Sequence, residues 1–244
     1  MILLLSDVHC LYGIVNKQIA HAETTTGRPV DAVVILGDVG LFEPQLGHFF
    51  RRDGERFLRP TYFIEGNHED HDHLTALATA YRHLLVYLPR GSVHTIDGCR
   101  FLCLGGTGYM DAHTTPRAAV ITPKDIEGCL TLAQDAIDVI ISHDCPQGIG
   151  IPNSPGFEHY GPPGFEGSAA LLKHFSPRLW VFGHHHKWYD HSGGGSRFVG
   201  LAQSWKGYGL LDRDGTLQVV RHRVFLDTPF WTRLWRRWLS AFRR

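Results

Sequence analysis

A chain of 244 residues with 43% hydrophobic content can bury one large core, and nothing in that length requires a second domain. Its 24 basic and 24 acidic residues cancel to a formal charge of zero, which excludes a body drawn by its net field onto nucleic acid or an anionic membrane. The five cysteines, Cys10, Cys99, Cys103, Cys129 and Cys145, are scattered and without CxxC spacing, which excludes a disulfide framework or a zinc finger and suits a reducing cytoplasm.

Met1 to Leu5 is too short and lacks the basic start of a signal peptide, so it reads as a first strand over Ile2 to Leu5, running into Asp7-Val8-His9. Helical spacing over Val15 to Ala22 leads to a strand over Ala32 to Leu36 that ends in Gly37-Asp38. A second helix, Leu46 to Phe57, precedes a strand over Thr61 to Ile64 that ends in Gly66-Asn67-His68-Glu69. After a helix over Asp72 to Leu84 comes a strand over Phe101 to Leu104. The Gly105-Gly106-Thr107-Gly108 that follows lacks the lysine of a phosphate loop and the spacing of a dinucleotide fingerprint, and reads as a turn. A helix over Lys124 to Gln134 leads to the strand Val139 to Ile141, ending in Ser142-His143-Asp144. Residues 148–167 are rich in Gly and Pro and carry Phe157, His159, Tyr160 and Phe165, as either a substrate-contacting loop or a plain surface loop. A helix over Ser168 to Phe175 and a strand over Leu179 to Phe182 bring the chain to Gly183-His184-His185-His186. Asp212 to Gly215 then turns a hairpin between Tyr208 to Leu211 and Leu217 to Val220.

Short continuous apolar runs are the mark of strands buried on both faces, and their alternation with helices predicts an α/β core. Residues 1–226 form that domain, and 227–244 stand apart. There Phe230, Trp231, Leu234, Trp235, Trp238, Leu239 and Phe242 fall on one helical face, with Arg233, Arg236, Arg237, Arg243 and Arg244 elsewhere. Such a basic aromatic amphipathic helix can dock on the domain or on a second subunit, lie on a membrane surface, or touch nucleic acid. No run approaches the roughly 18 apolar residues of a spanning helix, so the expected location is cytoplasmic, with the tail as the one route to a membrane periphery.

Five polar blocks sit where hydrophobic strands end. Taken singly they are weak signals, because Asp, Asn and His serve turns and caps, and a histidine run can be surface decoration. Together they supply carboxylates, neutral imidazoles and one amide oxygen converging from several loops, the donor inventory of a site that binds two divalent metals and cleaves a phosphate ester. Asp38, alone at the end of its strand, is the natural shared carboxylate.

The order DxH, GD, GNH(E/D), a later strand-end His and GHxH resembles the calcineurin-like metallophosphoesterase superfamily, from Asp7 to His186 with no motif missing. The resemblance implies a four-layer α/β/β/α sandwich of two mixed sheets flanked by helices. It implies that Asp7, His9, Asp38 and His186 hold one metal and Asp38, Asn67, His143 and His184 the other, with His185 pointing away. It further implies that His68 meets the leaving group, where a histidine can act as general acid near neutral pH. A hydroxide bridging the metals would attack phosphorus in line. Mn is the expected metal, with Fe and Zn as alternatives.

The substrate class is read from departures. Phosphoprotein phosphatases carry GDxxDRG, and the arginine is missing from Gly37-Asp38-Val39-Gly40-Leu41. Lipid A pathway hydrolases of similar length carry an Arg where this chain has His68. The stretches Pro60 to Glu69 and Ile140 to Ile149 resemble RNA lariat debranching enzymes, although those commonly have Cys in place of Asp7 and an additional recognition insertion. A phosphodiesterase acting on a nucleotide or nucleic acid is therefore expected. The alternatives are a phosphomonoesterase or protein phosphatase, for which Arg90 or Arg117 would have to clamp the terminal phosphate, and a membrane-associated lipid phosphoesterase. A scaffold that has lost catalysis would show eroded ligand positions, and none is eroded here.

Overall fold

In the computed structural model, which describes residues 1–112 and 114–224, alternate residues of the first strand, β1 (Ile2–Leu5), enter different cores. Leu3 and Leu5 join Val15, Ile19, Leu46 and Phe50, whereas Ile2 and Leu4 join Phe101, Ile141 and Val181. This is the period of two expected of a strand covered on both faces, and it explains why the run is apolar throughout.

The first sheet has six strands in the order β12 (Leu217–Arg221), β11 (Gly207–Leu211), β1, β2 (Ala32–Leu36), β3 (Thr61–Ile64) and β4 (Val86–Tyr87). Strands β1 to β4 run parallel, and the hairpin β11–β12 lies antiparallel beside β1. The second sheet, also six-stranded, has the order β5 (Ser92–Ile96), β6 (Cys99–Leu104), β7 (Val139–Ser142), β8 (Leu179–Phe182), β10 (Ser196–Gly200) and β9 (Tyr189–Gly193). Its four inner strands are parallel, and both edge strands are antiparallel to them.

Helices α1 (Gly13–Thr26), α2 (Glu43–Leu46) and α3 (Leu74–Tyr81) cover the first sheet, and α4 (Pro123–Leu130) and α5 (Ser168–Phe175) cover the second. Three cores result, one between the sheets and one under each helical layer. The expected four-layer α/β/β/α architecture is the observed one. Leu4, Ile35, Phe101 and Val181 are fully enclosed, and truncating such a residue to Ala typically costs ~2–5 kcal/mol.

Local chemistry sets the helix limits. α4 opens on a capping box between Thr122 and Asp125 with Pro123 at its first position, and α1 closes on Gly27 in the left-handed region (φ 64°). The helix expected over Leu46 to Phe57 is shorter: α2 passes into a π-helical turn, Gly47–Arg52, that seats Phe50 in the core. The helix expected over Lys124 to Gln134 stops at Leu130, where the Thr131 hydroxyl donates to Gly128 O and closes the turn. The helix expected at 227–244 lies outside the described residues. Among those described, no helix is long and apolar enough to cross a membrane.

Candidate metal centre

The carboxyl ends of β1, β2, β3, β7 and β8 carry the five polar blocks, and the two sheets bring them to one edge of the sandwich. Two glycines show how tightly. A methyl group at Gly66 would lie 2.0 Å from Asp38 Oδ1, and one at Gly183 would lie 1.7 Å from Ser6 Oγ and 2.9 Å from Asp7 Oδ2. The glycine ahead of Asn67 and the one ahead of His184 are thus demanded by the approach of the neighbouring strand end.

Backbone conformation marks the same places. Of the eight described non-glycine residues with positive φ, five are Asp7, His9, Asp38, His184 and His186, and a sixth is Cys10. The left-handed region is uncommon outside glycine, although Asp and His enter it more readily than most side chains, and its concentration at one locus points to a geometry held for a purpose.

His186 Nε2 stands 3.1 Å from Asp7 Oδ1 and 3.3 Å from His9 Nε2, while His9 Nε2 is 3.8 Å from Asp7 Oδ1 and 3.9 Å from Asp38 Oδ2. His143 Nε2 stands 3.3 Å from Asp38 Oδ1 and 3.1 Å from Asn67 Oδ1. The His184 ring lies 5.0 Å from that of His143, and its backbone N–H donates to Asp7 Oδ2 (3.2 Å). Ligands about 2.1 Å from one ion and at right angles to each other are about 3 Å apart, so the donor spacing and the oxygen–nitrogen chemistry both fit divalent cations. All seven side chains named from the sequence as metal ligands are brought into this one cluster.

Orientation is fixed from behind. His143 Nδ1 donates to Leu36 O (2.7 Å), which leaves Nε2 facing Asp38 and Asn67. The Asn67 amide donates through Nδ2 to Thr114 O (2.9 Å), so its oxygen faces inward. Ser6 Oγ donates to Asp7 Oδ2.

Burial opposes ionisation of the two carboxyls, but His186 and His143 beside Asp7, and His143 and His68 beside Asp38, hold both below the usual carboxylate range. Burial lowers His9 to about 4 and His184 to about 3 against the pull of nearby carboxylates, so both are neutral donors at pH 7. Burial works the same way on His143 and His186, yet Asp38 lifts the first to about 10 and Asp7 raises the second. Two buried carboxylates are thus balanced by the protonated His143, with His186 drawn towards its charged form by Asp7, charge that a divalent cation would supply in their place.

His68 follows Asn67, its backbone N–H donating to Asp38 Oδ1 (2.8 Å) and its Nε2 3.9 Å from Asp38 Oδ2. Its ring lies 5.5 Å from that of His9 and is 28% exposed, at the mouth rather than the floor of the cluster. His185 turns aside, donating from Nε2 to Asp144 Oδ1 (2.8 Å). Glu69, ambiguous in sequence, accepts from the backbone N–H groups of Val39 (2.9 Å), Gly40 (3.0 Å) and Leu41 and so anchors the loop after Asp38. Burial and the Asp38 charge push it up to about 8 against those hydrogen bonds.

Sequence reading passed over Asp144. Fully enclosed, it accepts from the N–H groups of Gly108 (2.9 Å) and Cys145 (2.7 Å) as well as from His185, and these donors hold it below the ordinary range although burial opposes them. Its position in the Ser142-His143-Asp144 block was the only signal. Asp144, Cys145 and His185 form a third compact group of ligand-type atoms, but burial pushes the Cys145 thiol far up, which makes it a poor ligand. Arg90 does not reach the cluster: its guanidinium is held by Glu65 Oε1 (3.0 Å) and by Val120 O (2.8 Å). Arg117 lies exposed in the turn Arg117–Ala119.

Two mixed sheets with oxygen and imidazole donors gathered at the carboxyl ends of their parallel strands are the plan of a metal-dependent phosphoester hydrolase. The chain belongs to the calcineurin-like phosphoesterase family, whose sequence model matches residues 1–188 and so takes in all five blocks. A lariat debranching enzyme of Entamoeba histolytica is 25% identical over 235 residues, a match covering 80% of this chain and 66% of that protein, just under two thirds of its length. A solved structure from Thermus thermophilus superposes with a TM-score of 0.60 at 19% identity, covering 90% of this chain and 97% of that one. The phosphopantetheinyl hydrolase of Mycobacterium tuberculosis gives 0.51 at 15% identity, covering 93% and 96%. At these identities the structural likenesses speak to the fold alone.

Proposed function

We propose that the protein is a two-metal phosphodiesterase acting on a nucleotide or nucleic-acid phosphodiester, with His68 as general acid. Asp7, His9, Asp38 and His186 would hold one ion and Asp38, Asn67, His143 and His184 the other, Asp38 being shared. The pair would polarise the phosphoryl oxygens, offset developing charge and supply a nucleophile at neutral pH. Asp38 has a second task, because its Oδ1 holds the His68 backbone and so fixes the imidazole relative to the donor cluster.

The observation that carries the reading is the place of His68: a partly exposed imidazole against the shared carboxylate, beside and not within the donor set. There it can hand a proton to a departing oxygen. Alkoxides leave poorly, so such a donor matters most for diesters of ordinary alcohols. The commitment of Arg90 to Glu65 removes one of the two arginines that could have served as a phosphate clamp, and the 25%-identical relative is a lariat debranching enzyme. Mn remains the first metal to supply.

Mn-dependent hydrolysis of a bis-aryl phosphate diester and its monoester, side by side, tests the reading. A diester preference that disappears in Asp38→Asn is expected, and a monoester preference would move the assignment to a phosphatase. His68→Ala is expected to lose ~10²–10⁴ in rate on a diester with an alkyl leaving group and far less on a bis(4-nitrophenyl) phosphate diester, whose leaving group needs no proton.

A further inference from the structure

Resting on that reading, we infer that the exposed turn Phe157–Tyr160 is a stacking platform for a nucleobase of the substrate, next to the phosphodiester being cut. Phe157 is 41% and Tyr160 37% exposed, their ring centroids 5.8 Å apart, and the His159 ring lies 3.9 Å from that of Tyr160. Tyr109, in the loop after β6 that also carries Asp111, is 59% exposed. Lone apolar groups on a surface need no explanation, but three rings in four successive residues form a patch with a use.

Two tethers tie the turn to the metal-type cluster. Tyr160 Oη donates to Asp111, whose other oxygen accepts from Thr114 N (2.8 Å), and Thr114 O accepts from Asn67 Nδ2 (2.9 Å). From the other side Lys187, directly after His186, donates from Nζ to Pro152 O (2.9 Å) and Asn153 O (3.3 Å), and Asn153 Nδ2 donates to Gly161 O (2.9 Å). The turn thus hangs from two of the blocks that supply the donor cluster.

Charge selects what it receives. Asp111 and Glu158 put two carboxylates on this surface, so a second phosphate is disfavoured and a neutral flat ring is not. Stacking on aromatic side chains holds bases without regard to their identity and contributes ~1–3 kcal/mol per base as judged by alanine substitution.

Two diesters with the same leaving group, thymidine 5′-(4-nitrophenyl phosphate) and methyl 4-nitrophenyl phosphate, isolate the base on the retained side. The metal-loaded protein is expected to prefer the thymidine ester, chiefly through KM. The kcat/KM ratio should fall about tenfold or more in the double variant Phe157→Ala, Tyr160→Ala. Tyr160→Phe, which keeps the ring and loses the hydroxyl bond to Asp111, should retain the ratio, and so should the remote surface variant Leu58→Ser. Quenching of 2-aminopurine nucleotide fluorescence, a sign of a stacked base, should follow the same order, with melting curves confirming that each variant is folded. Hydrolysis of both esters with an unaltered ratio in the double variant overturns the platform alone, as does a loss in Tyr160→Phe equal to that of the double variant. No metal-dependent hydrolysis of either ester overturns the phosphodiesterase reading and the platform with it.

Discussion

Asp144 shows what one unassigned side chain can do for its neighbours. Its carboxylate satisfies two backbone N–H groups and the His185 ring, so it joins the loop after β6, the end of β7 and the histidine run after β8. Asp144→Ala would leave buried donors unpaired at ~1–3 kcal/mol each and loosen the chain segments that carry His143 and His184, so metal affinity should fall as well. Thermal melting and metal titration should both register the change, with Asp144→Asn milder on each. The proton on His143 carries a second expectation. Asp38 holds it up to about pH 10, well above the ordinary 6.5, so cation binding must displace it, and Asp7 pulls His186 in the same direction. Metal affinity should therefore climb with pH, about tenfold per unit for each proton displaced, and calorimetry in buffers of different ionisation enthalpy should detect the release of the His143 proton at pH 7. Stability of the metal-free protein should run the other way. The raised His143 pKa contributes fully below 6.5 and is lost towards about 10, while the depressed Asp7 and Asp38 contribute above 3.8 and are lost as pH falls through their folded values.

At the scale of elements, strand ends set the site and glycines let them meet. Gly66→Ala or Gly183→Ala must displace Asp38, or Ser6 with Asp7, to make room for one methyl. Both are expected to fold, because β3 and β8 retain their core residues, and to bind Mn much more weakly; a metal affinity equal to wild type would refute the close-approach account. The same strands explain what could be read in advance. β1, β2, β3, β7 and β8 are enclosed along nearly their whole length, so they appear as unbroken apolar runs, and the polar residue that ends each run is conspicuous. Edge strands give no such signal: β9 reads Tyr-Asp-His-Ser-Gly and is mostly exposed, and β4 is two residues long. β5 is half-buried over most of its length, and its Ser92 and His94 speak for a loop as well as for a strand. Residues that act through backbone groups, such as Glu69 on Val39 to Leu41, are illegible because their partners carry no side-chain identity.

For the whole molecule, the donor cluster spans both sheets. Asp7, Asp38 and Asn67 come from the first, and His143, His184 and His186 from the second, so a bound ion would add a link between layers that the apolar core between them also joins. Saturating metal at ~1,000 times Kd should stabilise the fold by ~4 kcal/mol, and chelation should lower Tm accordingly. Among the described residues, the three cores are built from residues up to 220. A chain ending at residue 226 keeps all of those residues and the whole donor cluster, and is expected to fold and hydrolyse diesters with the full chain's efficiency. Comparison of the two on anionic vesicles would decide the tail's role, since equal partitioning removes the membrane reading.

The left-handed backbone at Asp7, His9, Asp38, His184 and His186 bears on how this protein would respond to laboratory selection. Glycine and asparagine relieve that conformation, and replacing a ligand with either also removes buried charge or imidazole. A library sorted only for thermal survival in the presence of chelator should accumulate such substitutions at His9 and His184, whose buried rings are neutral, and not at Asp7 or Asp38, whose charges are balanced by neighbouring imidazoles, and should return sturdier, inactive proteins. Supplying metal during the sort should reverse the enrichment, because the ion then rewards the residues that the bare fold would rather lose.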